Sequence, residues 1–182
     1  MLEKKTNYNL EFHKLELITL SASKTMFCII GCGNLNRSDD GVGVCVAQRL
    51  AKHFSEPLRT DVKVFDAGTS GMDVMFQARG ATSLIIVDAS RSDSLPGTIF
   101  KVPGEALASV PEPSYTLHNF RWDHAIYAGR KMFKDDFPKN VTVYLIEAAD
   151  LSFGLELSQS VSTAAESVVN QILTLVNEGQ PQ

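Results

Sequence analysis

Three cysteines in 182 residues are too few, and odd in number, for a disulfide framework. Cys28, Cys32 and Cys45 show no CxxC spacing, so reduced thiols acting as small buried hydrophobes are expected, in the cytoplasm. Basic charge is also short: 17 Lys+Arg against 21 Asp+Glu give a net charge of −4, with a pI near 5.5. That leaves no excess to neutralise phosphates, so nucleic acid is not the expected partner. No apolar run approaches the roughly 18 residues of a membrane span. Glu11 and Glu16 interrupt the apolar positions of the first 24 residues, so no signal-peptide h-region is expected. Internal repeats, low-complexity segments and domain linkers are all missing.

Several phosphate and nucleophile motifs are absent too. Gly31-Cys32-Gly33 opens like a dinucleotide fingerprint, but Asn36 stands where the third glycine belongs. Asp39 and Asp40 in the same loop would repel a pyrophosphate. No Gly-Lys-Ser/Thr follows to form a P-loop, and no G-x-S-x-G elbow marks a serine hydrolase.

What remains is an ordinary globular composition, 44% hydrophobic and 21% charged, at a length that suits one domain. Residues 1–24 read as an N-terminal arm and 25–182 as a single domain, expected to be a monomer. Apolar runs at 25–31, 62–66, 83–88 and 141–146 predict strands, and Gly97–Val102 a short edge strand. Between them lie helical periodicities. Val42, Cys45, Val46, Arg49, Leu50 and Phe54 share one face. Met72–Arg79 reads as a short helix stopped by Gly80, and another helix follows His118 through Trp122, Ile126, Gly129 and Phe133. The last runs through Val161, Ala165, Val168, Ile172 and Val176, with Ser158 or Ser160 as its cap. Alternating strands and helices predict an α/β three-layer sandwich, a mostly parallel twisted sheet of about five strands with helices on both faces.

Successive strands end in or lead to aspartate: Asp39 and Asp40, Asp66, then Asp88. Parallel strands bring such ends to one rim, where ligands sit in α/β sheets. Gathered carboxylates repel unless a cation or shared proton offsets them. With His118, two carboxylates and an imidazole suit a divalent transition metal such as zinc or nickel. Each residue has a plainer role open to it. Asp40 could cap the helix at Gly41, and Asp39 is expected to be a solvated or capping carboxylate. Asp66 could brace its own turn. His124, inside the helix, competes with His118, and His13 and His53 look incidental.

The motifs taken in order resemble the hydrogenase maturation endopeptidases. Gly31-Cys32-Gly33-Asn34 with Asp39-Asp40-Gly41-Val42-Gly43 resembles the family's first motif, and Asp66-Ala67-Gly68-Thr69-Ser70-Gly71 its second. Ile85-Ile86-Val87-Asp88-Ala89, Thr116-Leu117-His118-Asn119 and Gly154-Leu155-Glu156-Leu157-Ser158 are similar to the three that follow. The resemblance implies an endopeptidase that removes the C-terminal peptide of a nickel-iron hydrogenase large-subunit precursor once nickel is inserted. It implies Asp40, Asp88 and His118 as metal-contacting residues and Asp66 as a catalytic acidic residue, a general base or orienting carboxylate. Nickel would belong to the precursor, with zinc or cadmium as substitutes in the isolated protein. A non-cleaving metal-sensing chaperone and an aminopeptidase-like metallohydrolase are the rival readings. Asn36 and Arg37 depart from the family's apolar residues, and Glu147-Ala148-Ala149-Asp150 from its Gly and Pro.

Overall fold

The computed structural model describes residues 26–56, 58–108 and 120–179. The expected arm over residues 1–24 and His118 lie outside them. Strand β1 is Phe27–Cys32, followed by a 3-10 turn at Ser38–Gly41 and helix α1, Val42–Ser55. Then come β2 (Val62–Gly68), α2 (Gly71–Gln77), β3 (Ser83–Ser90), β4 (Ile99–Pro103) and the single turn α3 (Gly104–Leu107). Helix α4 (Trp122–Phe133), β5 (Asn140–Glu147) and α5 (Gln159–Glu178) complete the chain. The expected elements are all present, with ends that coincide or move by one or two residues.

The sheet order is β2-β1-β3-β5-β4. Strands β2, β1, β3 and β5 run parallel, and β4 is an antiparallel edge on β5. Central β1 is buried along its whole length, which explains its unbroken apolar run. Its alternation divides the core. Phe27 and Ile29 face α1 and α5, with Ile85, Val87, Tyr144 and Ile146. Cys28, Ile30 and Cys32 face α2 and α4, with Leu84, Ile86, Val141 and Val143. Both inner thiols therefore pack as small core hydrophobes. Each fully buried isoleucine contributes roughly 1.5–3 kcal/mol on removal from water.

Two glycines bring the first loop and helix against the sheet. Gly33 takes φ +122, and a Cβ there would meet the Asp40 carbonyl at 1.8 Å. At Gly43 a Cβ would lie 2.1 Å from the Val87 carbonyl and 2.3 Å from that of Cys32. The close strand–helix approach that a third fingerprint glycine would permit is thus made by Gly43. Among the described residues no helix is long and apolar enough to cross a membrane.

Candidate active site

The chain leaves β1 for β2 on one side, then returns past β1 to place β3 on the other. In an open α/β sheet the crevice at such a switch point opens at the strands' carboxyl ends. Here it is a cavity of about 650 Å³ lined by Asp40, Asp88, Cys32, Gly33, Arg121 and Trp122, among others. Gly33 packs its Cα against the backbone carbonyl of Asp40 and lies beside the Asp88 carboxylate, with an added Cβ coming within 3.6 Å of Asp88 Oδ1. A groove of about 630 Å³ beside α5 is lined by polar helix residues such as Thr163, Glu166 and Asn170 and by Lys101, with no such convergence.

Asp88 shares the parity of Leu84 and Ile86, so the pleat turns it toward α4. It is 7% exposed. Trp122 Nε1–H donates to its Oδ2 at 2.7 Å, the Ala89 N–H donates to Oδ1 at 2.9 Å, and Arg121 Nη2 stands 3.7 Å away. Burial pushes its pKa up to about 6, against the lowering pull of Trp122, Ala89 and Arg121, and Asp40 raises it further. A cation would offset this cost of burying negative charge. Asp40 is half-buried and accepts the Asn34 N–H at 3.1 Å; it makes no side-chain cap to α1. Asn34, at the centre of the turn, thereby ties Asp40 to the loop and with its own Oδ1 accepts the Asn36 N–H. Cys32 lines the same cavity, and burial together with Asp88 raises its thiol well above the ordinary range.

Asp66 lies elsewhere. It has the parity of Val62 and Val64, which pack toward α1, so it is on the opposite face of the sheet from Asp88. It is exposed and accepts the N–H of Gly68 at 2.9 Å, bracing the turn as an Asx motif. Gly68, Thr69 and Ser70 in turn wall the cavity. Ser70 also caps α2, accepting the Asp73 N–H. His124 is half-buried within α4, its ring 5.9 Å from that of Phe120. Among the described residues no three of His, Cys, Asp and Glu form a metal-binding group; the predicted third ligand, His118, lies outside them.

Asp39 is neither solvated nor a helix cap, contrary to expectation. Ser38 adopts φ +45 and turns the next side chain inward, where Asp39 is 0% exposed. Its carboxylate accepts the N–H groups of Ala149 and Asp150, each at 2.9 Å, and both the N–H and hydroxyl of Ser158 at 2.7 and 3.0 Å. Ser158 does stand at the N-cap of α5, but its hydroxyl goes to Asp39 instead of capping the helix. Asp39 therefore fastens the segment after β5 against the loop that carries Asp40.

A second buried carboxylate does the same for the loop after β3. Glu147, 2% exposed, accepts the Ser90 and Ser92 hydroxyls at 2.8 and 2.9 Å and the Ser92 and Ser94 N–H groups at 2.6 and 3.2 Å. Burial raises its pKa, but these hydrogen bonds, led by Ser92, outweigh it and hold the carboxyl below its usual range. Sequence reasoning missed Trp122 as a partner of Asp88. It also missed Glu147, although a Ser-x-Ser-x-Ser pattern facing an acidic strand end was visible.

Comparison with known proteins agrees with the architecture. The family model for HycI, hydrogenase maturation protease, matches residues 44–175. A putative hydrogenase maturation protease of Methanocaldococcus jannaschii is 31% identical over 152 residues, covering 80% of this chain and 92% of that protein. The hydrogenase 2 maturation protease of Escherichia coli is 26% identical over 151 residues, covering 82% and 90%. Among solved structures, the E. coli hydrogenase maturating endopeptidase HybD superposes with a TM-score of 0.70 at 25% identity, over 85% of this chain and 93% of that one. The family model spans well over half of the chain, the relatives and the superposition cover most of it, and the chain belongs to the hydrogenase maturation protease family.

Proposed function

We propose that this protein is the endopeptidase that removes the C-terminal peptide from a nickel-iron hydrogenase large-subunit precursor after nickel insertion, acting as a monomer in the cytoplasm. The observation that carries the reading is that Asp40 and Asp88 line one cavity at the switch point, with Asp88 held by Trp122. Three unpaired cysteines suit a reducing compartment.

In this reading nickel is part of the substrate. Asp40 and Asp88 offer carboxylate oxygens to it and His118 an imidazole nitrogen, a donor set that nickel, zinc or cadmium accepts. Peptide hydrolysis requires a polarised carbonyl and a positioned water. Trp122 fixes one oxygen of Asp88, and Arg121 faces the same oxygen from solvent, so the carboxylate meets the substrate preorganised. Asp66 acts as an orienting carboxylate: it sets the Gly68 turn, and that turn forms a wall of the cavity.

Incubation with nickel-loaded and nickel-free precursor tests the proposal. The loaded form is shortened and the nickel-free form is not. Equal cleavage of both removes the checkpoint. Tight binding of the loaded form without shortening, under conditions where a cognate protease cuts, makes the protein a chaperone instead. Zinc retained through purification together with activity on unrelated peptides would mark a general metallohydrolase.

A further inference from the structure

The strongest feature outside the carboxylate pair is the loop that Glu147 fastens. A buried carboxylate needs compensation, and here that comes from hydrogen bonds spread over Ser90, Ser92 and Ser94. Ser90 lies directly across from Glu147 in the β3–β5 ladder, so the bonds extend the sheet's order into the loop. Ser90, Ser92 and Ser94 are bonded to Glu147, whereas Arg91 between them is exposed.

Arg91 has a particular outlook. It lines the main cavity with Asp40 and Asp88, and it also lines a recess of about 350 Å³ that continues from it past Leu151. The other charged groups of the recess are already engaged. Arg37 donates through Nε and Nη2 to the Leu151 carbonyl at 3.1 and 2.9 Å and lies over the Phe153 ring. Asp150 accepts the N–H and hydroxyl of Ser152, both at 2.8 Å. Arg91 makes no ion pair with any described residue. A guanidinium carried on a fastened loop beside this cleft, and unpaired among the described residues, is suited to a carboxylate.

We propose that Arg91 is the specificity cation of this site, receiving a carboxylate of the precursor's C-terminal segment and so setting its register across Asp40 and Asp88. The proposal rests on the endopeptidase reading above. The carboxylate is either an acidic side chain of that segment or the chain terminus. Glu147 is the positioning residue that holds the loop for Arg91.

A charge exchange tests it on nickel-loaded precursor. Against the native substrate, Arg91→Glu lowers kcat/KM by about 10- to 100-fold, mainly through KM, because a bidentate pair becomes a repulsion. Replacing the partner carboxylate in the precursor by lysine restores Arg91→Glu and impairs the wild type. Acidic side chains are exchanged one at a time in one arm, and the terminal carboxylate is amidated by ligation of a synthetic tail in the other; the arm that abolishes the Arg91 effect identifies the source. Arg91→Gln gives an intermediate loss at an unchanged Tm, and a lowered Tm would show that Arg91 is bound into the fold, overturning the proposal. If the wild type shortens the precursor but Arg91→Glu is insensitive to every exchange, the proposal falls and the endopeptidase reading stands. If the wild type shortens nothing, both fall.

Discussion

At the scale of single residues, carboxylates that look alike in sequence do unlike work. Asp39 and Asp40 are adjacent, yet the first is fully buried among donors of the segment after β5, and the second faces the cavity. Asp39→Asn offers one acceptor and places an NH₂ group against N–H donors. We expect a loss of at least about 2 kcal/mol, read as a lowered urea midpoint; an unchanged midpoint would show that these bonds contribute nothing net. Trp122→Phe keeps the ring in the core and deletes the bond to Asp88 Oδ2. It should cost about 1–2 kcal/mol of stability and reduce cleavage more than it reduces precursor binding. Unaltered turnover would separate Trp122 from the chemistry. The sequence showed aspartates at strand ends, but not their directions. Asp66 and Asp88 both end apolar runs, and only the pleat and pairing register tell that they lie on opposite faces. Asp39 turns inward because Ser38 takes a positive φ, which no local propensity signals.

At the scale of elements, the α/β alternation was legible because buried parallel strands are continuous apolar runs and helices keep their 3.6-residue period. The antiparallel direction of β4 was not, since a short edge strand reads the same either way. Gly43 was visible within a motif, but its reason lay in tertiary packing: the N-terminal turn of α1 meets two sheet carbonyls there. Gly43→Ala must lift α1 from the sheet, and a loss of about 2–4 kcal/mol is expected, measured by thermal and denaturant unfolding. A near-neutral result would mean that the helix can shift without cost. Glu147→Gln should loosen the loop after β3, raising KM for the precursor with little change in kcat and shrinking the effect of Arg91→Glu. Glu147→Asp should recover part of both. A uniform fall in kcat would instead tie Glu147 to the reaction.

For the whole molecule, the buried charge of Asp88 links folding to pH. Its folded pKa, pushed up to about 6 from 3.8, means that the native state binds a proton more tightly than the unfolded chain. The stabilisation is complete below the unfolded value and is lost as pH rises through the folded one. Glu147 has the opposite sign, since its hydrogen bonds favour the ionised form, and its contribution is present at neutral pH and lost on acidification. Comparing wild type with Asp88→Asn isolates the first group: from pH 4 to 6.5 the variant should gain on the wild type by something on the order of 2 kcal/mol. Parallel stability curves for the two proteins would sink this account of Asp88. The loop that Glu147 secures bears on how such a protein diversifies. Because the serines at 90, 92 and 94 do the fastening, the side chain at 91 is free to vary without disturbing the frame, while Asp93 holds a positive φ that few residue types take. Position 91 is an exchangeable point in the lining of the cleft, and a lineage could be retargeted to a different precursor by rewriting that one side chain.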